Sequence, residues 1–191
     1  MRKGLTSIVI ATLVLAVPVG AADGFVHYAI DSGSSVSAKV GFLGWASKTA
    51  GFPKVSGWIQ LAPARLQSIN LSVRIDATSI TAGDKVTLER LKGKDFFDVQ
   101  HYPAVTYRGT AMRMTGERTA EILGEITARG ITRPSTLQVT FAAPPARLSG
   151  REALGIDGTT QIDRRQFGMT AYQFVVGNTV TIRLRAQMVP G

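Results

Sequence analysis

Apolar and polar residues alternate with a period of two through most of the chain after residue 25. The clearest stretch is residues 180–188, where Val, Ile, Leu, Ala and Met occupy one set of positions and Thr, Arg and Gln the other. Successive side chains of a β-strand point to opposite faces, so this pattern predicts strands with one buried face each. Such strands must join a sheet whose apolar face is covered.

The same alternation predicts about eight or nine strands in all. They fall at residues 25–31, 36–42, 55–61, 69–76, 105–111, 122–128, 137–141, 159–163 and 180–188. Turn-forming residues separate them, among them Ser32-Gly33, Gly51-Phe52-Pro53, Gly130 and Gly177-Asn178. Regularly spaced strands with such turns are typical of an all-β sandwich or barrel.

One segment has the pattern of a helix. Asp84 can cap its N-terminus, and Val86, Leu88 and Leu91 can line one side. Gly93 can end it in a left-handed conformation. The sequence therefore predicts one short helix in an otherwise all-β domain.

Large apolar residues also occur in predicted turns and beside the helix. They are Phe42, Trp45, Phe52, Phe96, Phe97 and Phe167. Loops are normally surface features, so these side chains need an interior to cover. The ends of an eight-stranded barrel provide one, and this favours a barrel over a sandwich.

Residues 1–22 have the composition of a secretory signal peptide. Arg2 and Lys3 form a basic head, residues 5–17 are mostly apolar, and Ala21-Ala22 offers small residues to a peptidase. The apolar run is shorter than the roughly 20 residues of a membrane-spanning helix. We expect cleavage after Ala22, or after Ala21, and export of one domain, residues 23–191, to the periplasm. An uncleaved N-terminal anchor is the competing interpretation.

Composition limits the chemistry of that domain. The chain has no cysteine, which excludes disulfides, thiolate catalysis and acylation at cysteine. Its net charge is +9, and removing residues 1–22, with two basic residues and no acid, leaves +7. Such a surface attracts anionic partners such as lipid headgroups and pyrophosphates. We expect no nucleic-acid partner, since no run of Lys or Arg exceeds two residues.

Little in the sequence indicates catalysis. His27 and His101 are the two histidines, too few for a metal-ligand cluster. The chain has no Gly-x-Ser-x-Gly nucleophile motif and no phosphate-binding glycine loop. His101, near Asp95 and Asp98, fits a solvated turn better than a catalytic triad. We therefore expect no catalytic residue, no metal and no cofactor.

Residues 162–169 combine charged and aromatic residues. In one interpretation Asp163 pairs with a neighbouring arginine and Phe167 lies in the core. In the other, Arg164 or Arg165 binds an anionic or polar headgroup through charge-assisted hydrogen bonds.

Short motifs recur in a definite order along the chain. They are Tyr28-Ala29-Ile30-Asp31, Ser34-Ser35-Val36, Gly51-Phe52, Gly57, Ser79-Ile80, Asp95-Phe96-Phe97-Asp98, Tyr102-Pro103, residues 124–127 and 129–134, Ile162-Asp163-Arg164 and Phe167-Gly168-Met169. Together they resemble the YceI-like periplasmic proteins over nearly all of the chain after residue 22. That family often has a histidine near the position of Ser34 and another just before the helix leucine, where Arg90 precedes Leu91 here.

The resemblance implies an all-β, lipocalin-like antiparallel eight-stranded β-barrel with one short helix and a hydrophobic pore. It also implies non-catalytic binding of a long-chain amphiphile, such as a polyisoprenoid or an isoprenoid quinone. The expected ligand-binding residues are Phe42, Phe52, Trp58, Phe97, Phe141, Arg164 and Phe167.

Among these residues we expect Phe97, Phe141 and Phe167 to touch the lipid tail, and Arg164 or Arg165 to lie near its head. The expected partners are the lipid itself, a membrane surface in transient contact and, for a dimer, a second copy of the chain. Two alternatives stay open: a structural or interaction barrel with a filled core, and a hydrolase of lipid esters. Pore volume separates a lipid-binding barrel from a filled one, and a hydrolase would need a nucleophile beside a histidine.

Overall fold

The computed structural model describes residues 24–191, so the expected signal peptide lies outside the described residues. Within them the chain forms eleven strands and one α-helix. In order they are β1 (Val26–Ile30), β2 (Ser35–Phe42), β3 (Ala46–Phe52), β4 (Val55–Leu61), β5 (Ser68–Asp76), β6 (Thr81–Ala82), α1 (Lys85–Lys92), β7 (Ala104–Met114), β8 (Thr119–Ala128), β9 (Ile131–Phe141), β10 (Leu154–Asp163) and β11 (Val176–Pro190). Short 3₁₀ turns lie at Ala77–Ser79, Pro145–Arg147 and Arg164–Phe167.

Eight strands close into an antiparallel barrel in the order β1-β4-β5-β7-β8-β9-β10-β11. The pairing of β1 with the end of β11, where Tyr28 lies opposite Pro190, completes the ring. The earlier part of β11 pairs with β2, and β3 and β6 continue the wall from there. The barrel is therefore closed at one end. At the other end three further strands, β2, β3 and β6, extend the wall, and we call them the flap. The predicted eight-stranded barrel with one short helix is confirmed.

The inner face of the barrel is apolar, as the alternation requires. Its buried residues include Ile69, Leu71, Val73, Ile75, Leu137, Val139, Phe141, Leu184, Ala186 and Met188. Val180 and Ile182 share this face but are only half-buried, because they line cavities near the end of the barrel. The inward orientation predicted for these strands is thus confirmed, and the end near Val180 is less densely filled.

The sequence pattern did not predict β3 or the two-residue β6. The inward positions of β3 carry Ala46, Lys48 and Ala50, so no large apolar alternation marks it before Phe52. The expected turn at Gly51-Phe52-Pro53 is wrong in its first part, because Gly51 and Phe52 pair with β2.

Helix α1 is capped by Asp84 as predicted, but two details differ. Gly93 is extended, with φ −74°, because its N–H already donates to the carbonyls of Glu89 and Arg90 without a left-handed turn. Val86 is exposed instead of lining the buried side, whereas Leu88 and Leu91 pack against the core.

Candidate functional site

An apolar cavity of about 230 Å³, here called the mouth cavity, opens at the flap end of the barrel. Strands β2 and β3, α1, and the segment between β10 and β11 surround it. Its lining consists of Ala38, Val40, Phe42, Lys48, Thr49, Ala50, Thr87, Arg90, Leu91, Phe96, Phe97, Arg164, Met169, Tyr172, Val175, Val176 and Val180. Most of this surface is carbon, so the cavity suits an apolar ligand.

A second cavity of about 60 Å³, the inner cavity, lies between seven strands inside the barrel. It shares five lining residues with the mouth cavity: Ala38, Phe97, Arg164, Met169 and Val180. Arg164 is the one polar side chain in its lining. The two cavities therefore adjoin, and polarity falls from the mouth inwards.

Arg164 lies at this junction and is almost completely buried. Its Nε–H donates to the carbonyl of Gly177 at 2.8 Å, and Nη2 donates to that of Val176 at 2.9 Å. Nη1 donates to the carbonyls of Met169 and Ala171. Burial lowers the pKa of Arg164. Four of the five guanidinium N–H groups thus hold the segment before β11 and the first two residues of that strand, and the fifth has no acceptor among the described residues.

Arg165, the other arginine predicted near the lipid head, is engaged differently. Its guanidinium donates to both carboxylate oxygens of Asp163, with Nε 3.0 Å from Oδ1 and Nη2 2.5 Å from Oδ2. The hydrogen bond from Arg165 lowers the pKa of Asp163. Phe167 is buried in the core. This arrangement matches the interpretation in which Asp163 pairs with a neighbouring arginine. Of Arg164 and Arg165, it is Arg164 that lines the cavities.

Two aromatic rings stacked between two arginines close one side of the mouth; we call these four residues the mouth stack. The Arg90 guanidinium lies 5.0 Å from the centre of the Tyr172 ring. Tyr172 stacks on Phe96 at 6.0 Å with 7° between the ring planes, and the Arg164 guanidinium lies 6.0 Å from the Phe96 ring. Cation–π contacts of this kind are weakly stabilising. The stack joins α1 to the segment before β11.

Lys48 holds the other side of the mouth. Its Nζ lies 3.0 Å from Oδ2 of Asp84 and 5.4 Å from the centre of the Phe42 ring. Asp84 also accepts the N–H of Thr87 at 2.8 Å as the helix N-cap. The hydrogen bonds that Asp84 accepts from Thr87 make the largest contribution to lowering its pKa, and the contact with Lys48 makes the next. Together they lower the pKa of Asp84 to about 2. Lys48 thus ties β3 to the first turn of α1.

Four of the seven predicted binding residues line the cavities. Phe42 lies at the mouth, Phe52 lines the inner cavity, and Phe97 and Arg164 line both. Phe97 packs edge-on against Phe52 with 5.5 Å between ring centres.

Trp58, Phe141 and Phe167 line neither cavity. Trp58 is on the outer face of β4, 39% exposed and 5.8 Å from the His27 ring. Its position out of phase with buried Ile59 and Leu61 already indicated that face. Phe141 ends β9 at the opposite end of the barrel and is fully buried. Alternation tells inside from outside, but it does not tell depth along the barrel.

Sequence reasoning did not select Lys48, Arg90 or Tyr172 as binding residues. Arg90 was noted only because it replaces a histidine common in the resembling family. Tyr172 is left-handed, with φ 56°, which no local sequence signal indicated. Long-range packing brings these residues together, so their spacing in the chain carries no information about the site.

Within residues 24–191, no three His, Asp or Glu side chains are placed to hold one metal ion. Within the same range, no helix combines the length and apolar content needed to cross a bilayer. His101 hydrogen-bonds Asp98 at 2.9 Å in an exposed turn.

Comparison with known proteins adds independent information. A family model described as YceI-like domain matches residues 28–188. A UPF0312 protein of Pseudomonas savastanoi pv. phaseolicola is 25% identical over 169 residues, 88% of each chain.

Two solved structures share the fold. Burkholderia cenocepacia BcnA superposes with a TM-score of 0.73 at 25% identity, covering 83% of this chain and 98% of its own. A polyisoprenoid binding domain from Saccharophagus degradans, implicated in plant cell wall breakdown, superposes with a TM-score of 0.64. Its sequence is 14% identical, and the match covers 87% of this chain and 99% of its own. At that identity the comparison shows a shared fold.

Proposed function

Because the chain belongs to the YceI-like domain family, we propose that it is a binding protein for a long-chain amphiphilic lipid. The tail lies in the mouth and inner cavities, and the polar head stays at the barrel end. The observation that carries this proposal is an apolar cavity that opens to solvent and continues into the barrel.

The charges at the mouth favour an anionic or polar head. Lys48 and Arg90 line the mouth cavity, and the remaining N–H of Arg164 lies at its inner end. Burial of the tail contributes roughly 25 cal/mol per Å² of apolar surface, so a long chain binds well with few polar contacts. Polyisoprenoids and isoprenoid quinones have this chemistry. The description of the Saccharophagus degradans neighbour as polyisoprenoid binding supports the same class.

The cavity volumes bear on how a long tail enters. An apolar cavity of roughly 150 Å³ accommodates benzene, so the mouth cavity at about 230 Å³ accepts a short part of a tail as it stands. A longer tail must pass the junction of the two cavities, where Ala38 is the smallest shared side chain.

A binding role is also favoured over hydrolysis of lipid esters. The linings of both cavities contain no Ser, Cys or His, so neither holds a Ser–His or Cys–His pair. Export to the periplasm through residues 1–22 is part of the proposal, and it is supported by their signal-peptide composition.

Mass spectrometry of the intact purified protein, followed by organic extraction, tests the proposal. Wild-type protein is expected to carry a long-chain lipid. Ala38→Phe places a ring at the cavity junction and should abolish carriage, while melting no lower than delipidated wild type. Ala64→Phe, in the exposed turn after β4, is the matched control and should keep the lipid. Equal lipid content in Ala38→Phe and wild type would show that the ligand lies elsewhere.

A further inference from the structure

Three large apolar side chains are exposed beside the mouth cavity. Phe174 is fully exposed, Trp45 is 83% exposed and Leu43 is 46% exposed. Leu43 and Trp45 belong to the turn between β2 and β3, and Phe174 to the segment before β11. We call these three residues the apolar tip. Large apolar side chains grouped on a surface usually mark an interaction site.

The two segments of the apolar tip are held side by side. The N–H of Leu43 donates to the carbonyl of Val175 at 2.8 Å, and Phe42 lies opposite Val176 in the sheet. The segment that contains Val175 is held in turn by Arg164, which donates to the carbonyl of Val176, and by the mouth stack, which contacts it at Tyr172. The tip is therefore a defined surface, built onto the rim of the cavity.

The backbone at the tip is unfavourable for the residues it carries. Leu43 of the tip and Tyr172, two residues before Phe174, both adopt left-handed conformations, with φ 54° and 56°. Side chains with a Cβ disfavour this region, and residues held in it concentrate at functional sites. The chain thus presents exposed apolar side chains on strained turns, although a glycine or polar residue would be easier to accommodate there.

Charge indicates what covers the tip. The chain has no Asp or Glu between Asp31 and Asp76, and none after Asp163, so both tip segments lie in acid-free stretches. Lys48 and Arg165 of these stretches are paired with Asp84 and Asp163. Lys39, in the first stretch, and Arg90, at the mouth, are exposed basic residues outside those ion pairs. Asp84, the N-cap of α1, is the acid paired with Lys48. An apolar patch within a cationic surface complements an anionic lipid surface.

We propose that the apolar tip docks the protein on an anionic bilayer, with Trp45 at headgroup level and Leu43 and Phe174 inserted beside it. Tryptophan favours this depth because its ring is amphipathic. The mouth cavity then opens directly onto lipid. Three side chains are a small area against the roughly 1,200 Å² of a stable protein interface, which favours a membrane over a second copy. Docking goes beyond lipid binding and is measurable with the cavities empty.

Vesicle co-sedimentation tests docking. Wild type is expected to bind vesicles of phosphatidylglycerol and phosphatidylethanolamine, and to bind phosphatidylcholine vesicles more weakly. Trp45→Ala/Phe174→Ala should lose about 100-fold in affinity, since two buried aromatic contacts are removed. Trp58→Ala, the other tryptophan of the chain and on the barrel wall, is the matched control and should bind as wild type does. In Trp58→Phe, Trp45 emission should shift to shorter wavelength on binding.

Ala38→Phe, with its cavity junction blocked, should still bind vesicles. A failure of lipid carriage is thereby distinguished from a failure of docking. Undiminished vesicle binding by the double variant, or an unchanged Trp45 emission in sedimenting protein, would overturn the proposal. So would a concentration-dependent dimer in vesicle-free solution that Trp45→Ala/Phe174→Ala abolishes, because the tip would then be an interface between copies.

Discussion

At the scale of single residues, Arg164 shows how one buried cation serves two roles. Its guanidinium fork reaches four carbonyls that no single lysine amine could reach. Those carbonyls belong to the segment that carries Tyr172 and Phe174. Arg164 therefore holds the cavity wall in shape and leaves one guanidinium N–H for the proposed ligand.

Replacing Arg164 should destabilise the fold far more than replacing its neighbour. Arg164→Ala leaves four carbonyls without their donors and should cost about 3 kcal/mol or more. Arg165→Ala removes only an exposed pair with Asp163 and should change stability little. Urea denaturation of both variants measures the difference. Similar losses in the two would contradict the role assigned to Arg164.

Two phenylalanines predicted from sequence to touch the tail should behave differently. Phe141 is fully buried away from the cavities, so Phe141→Ala should cost about 3–5 kcal/mol with or without lipid. Phe97 lines both cavities, so Phe97→Ala should mainly reduce the stabilisation that lipid adds, RT ln(1 + [L]/Kd). Thermal melts of delipidated and loaded protein separate the two effects. A lipid-induced shift as large in Phe97→Ala as in wild type would remove Phe97 from the site.

At the scale of elements, α1 is a short helix that covers the mouth and depends on its ends. Asp84 caps its first turn and pairs with Lys48 of β3, while Arg90 in its last turn joins the mouth stack. Neither contact is deeply buried. The helix is therefore the element expected to move when a lipid enters or leaves.

The Asp84 cap should make α1 sensitive to acid. The pKa of Asp84 falls from 3.8 to about 2 on folding, so its stabilisation is present above pH 3.8 and is lost as pH falls through about 2. Asp84→Asn keeps an N-cap acceptor but cannot titrate or pair with Lys48. The melting temperature of wild type should exceed that of Asp84→Asn at pH 5, and the gap should close near pH 2.

Asp157→Asn is the control for this comparison, since Asp157 forms an exposed pair with Arg185 on the barrel wall. It should differ little from wild type at either pH. A gap between wild type and Asp84→Asn that stays constant from pH 5 to pH 2 would contradict the acid dependence.

At the scale of the whole molecule, the barrel combines a filled end with an unfilled one. Pairing of β1 with β11 closes the ring around a packed core, whereas the flap of β2, β3 and β6 surrounds the cavities. The packed end supplies stability without disulfides. The flap end can then keep an open volume, because the fold does not depend on filling it.

Export should leave a mature chain that begins at Asp23, or at Ala22. The basic, apolar and small-residue order of residues 1–22 is the reason. N-terminal sequencing of protein from the periplasmic fraction measures it. Recovery of Met1 in a membrane fraction would favour the uncleaved anchor instead.

Local periodicity was sufficient to predict most of the fold. Alternation places Val73, Val139 and Leu184 on an inner face wherever they lie in the barrel, because side-chain direction in a strand is a local property. The cap at Asp84 is local in the same sense. Strand β3 escaped prediction because Lys48 and Ala50 occupy its inward positions, where the cavity replaces packed side chains.

The sequence by itself determined which residues face inward, that the chain forms a β-barrel with one helix, and the resemblance that the family match confirmed. Only the tertiary structure decided which inward residues surround empty volume. Val180 and Phe141 carry the same strand alternation, yet Val180 lines the cavities and Phe141 fills the core. Depth along the barrel depends on strand register and closure, which arise from pairings between distant residues such as Tyr28 and Pro190.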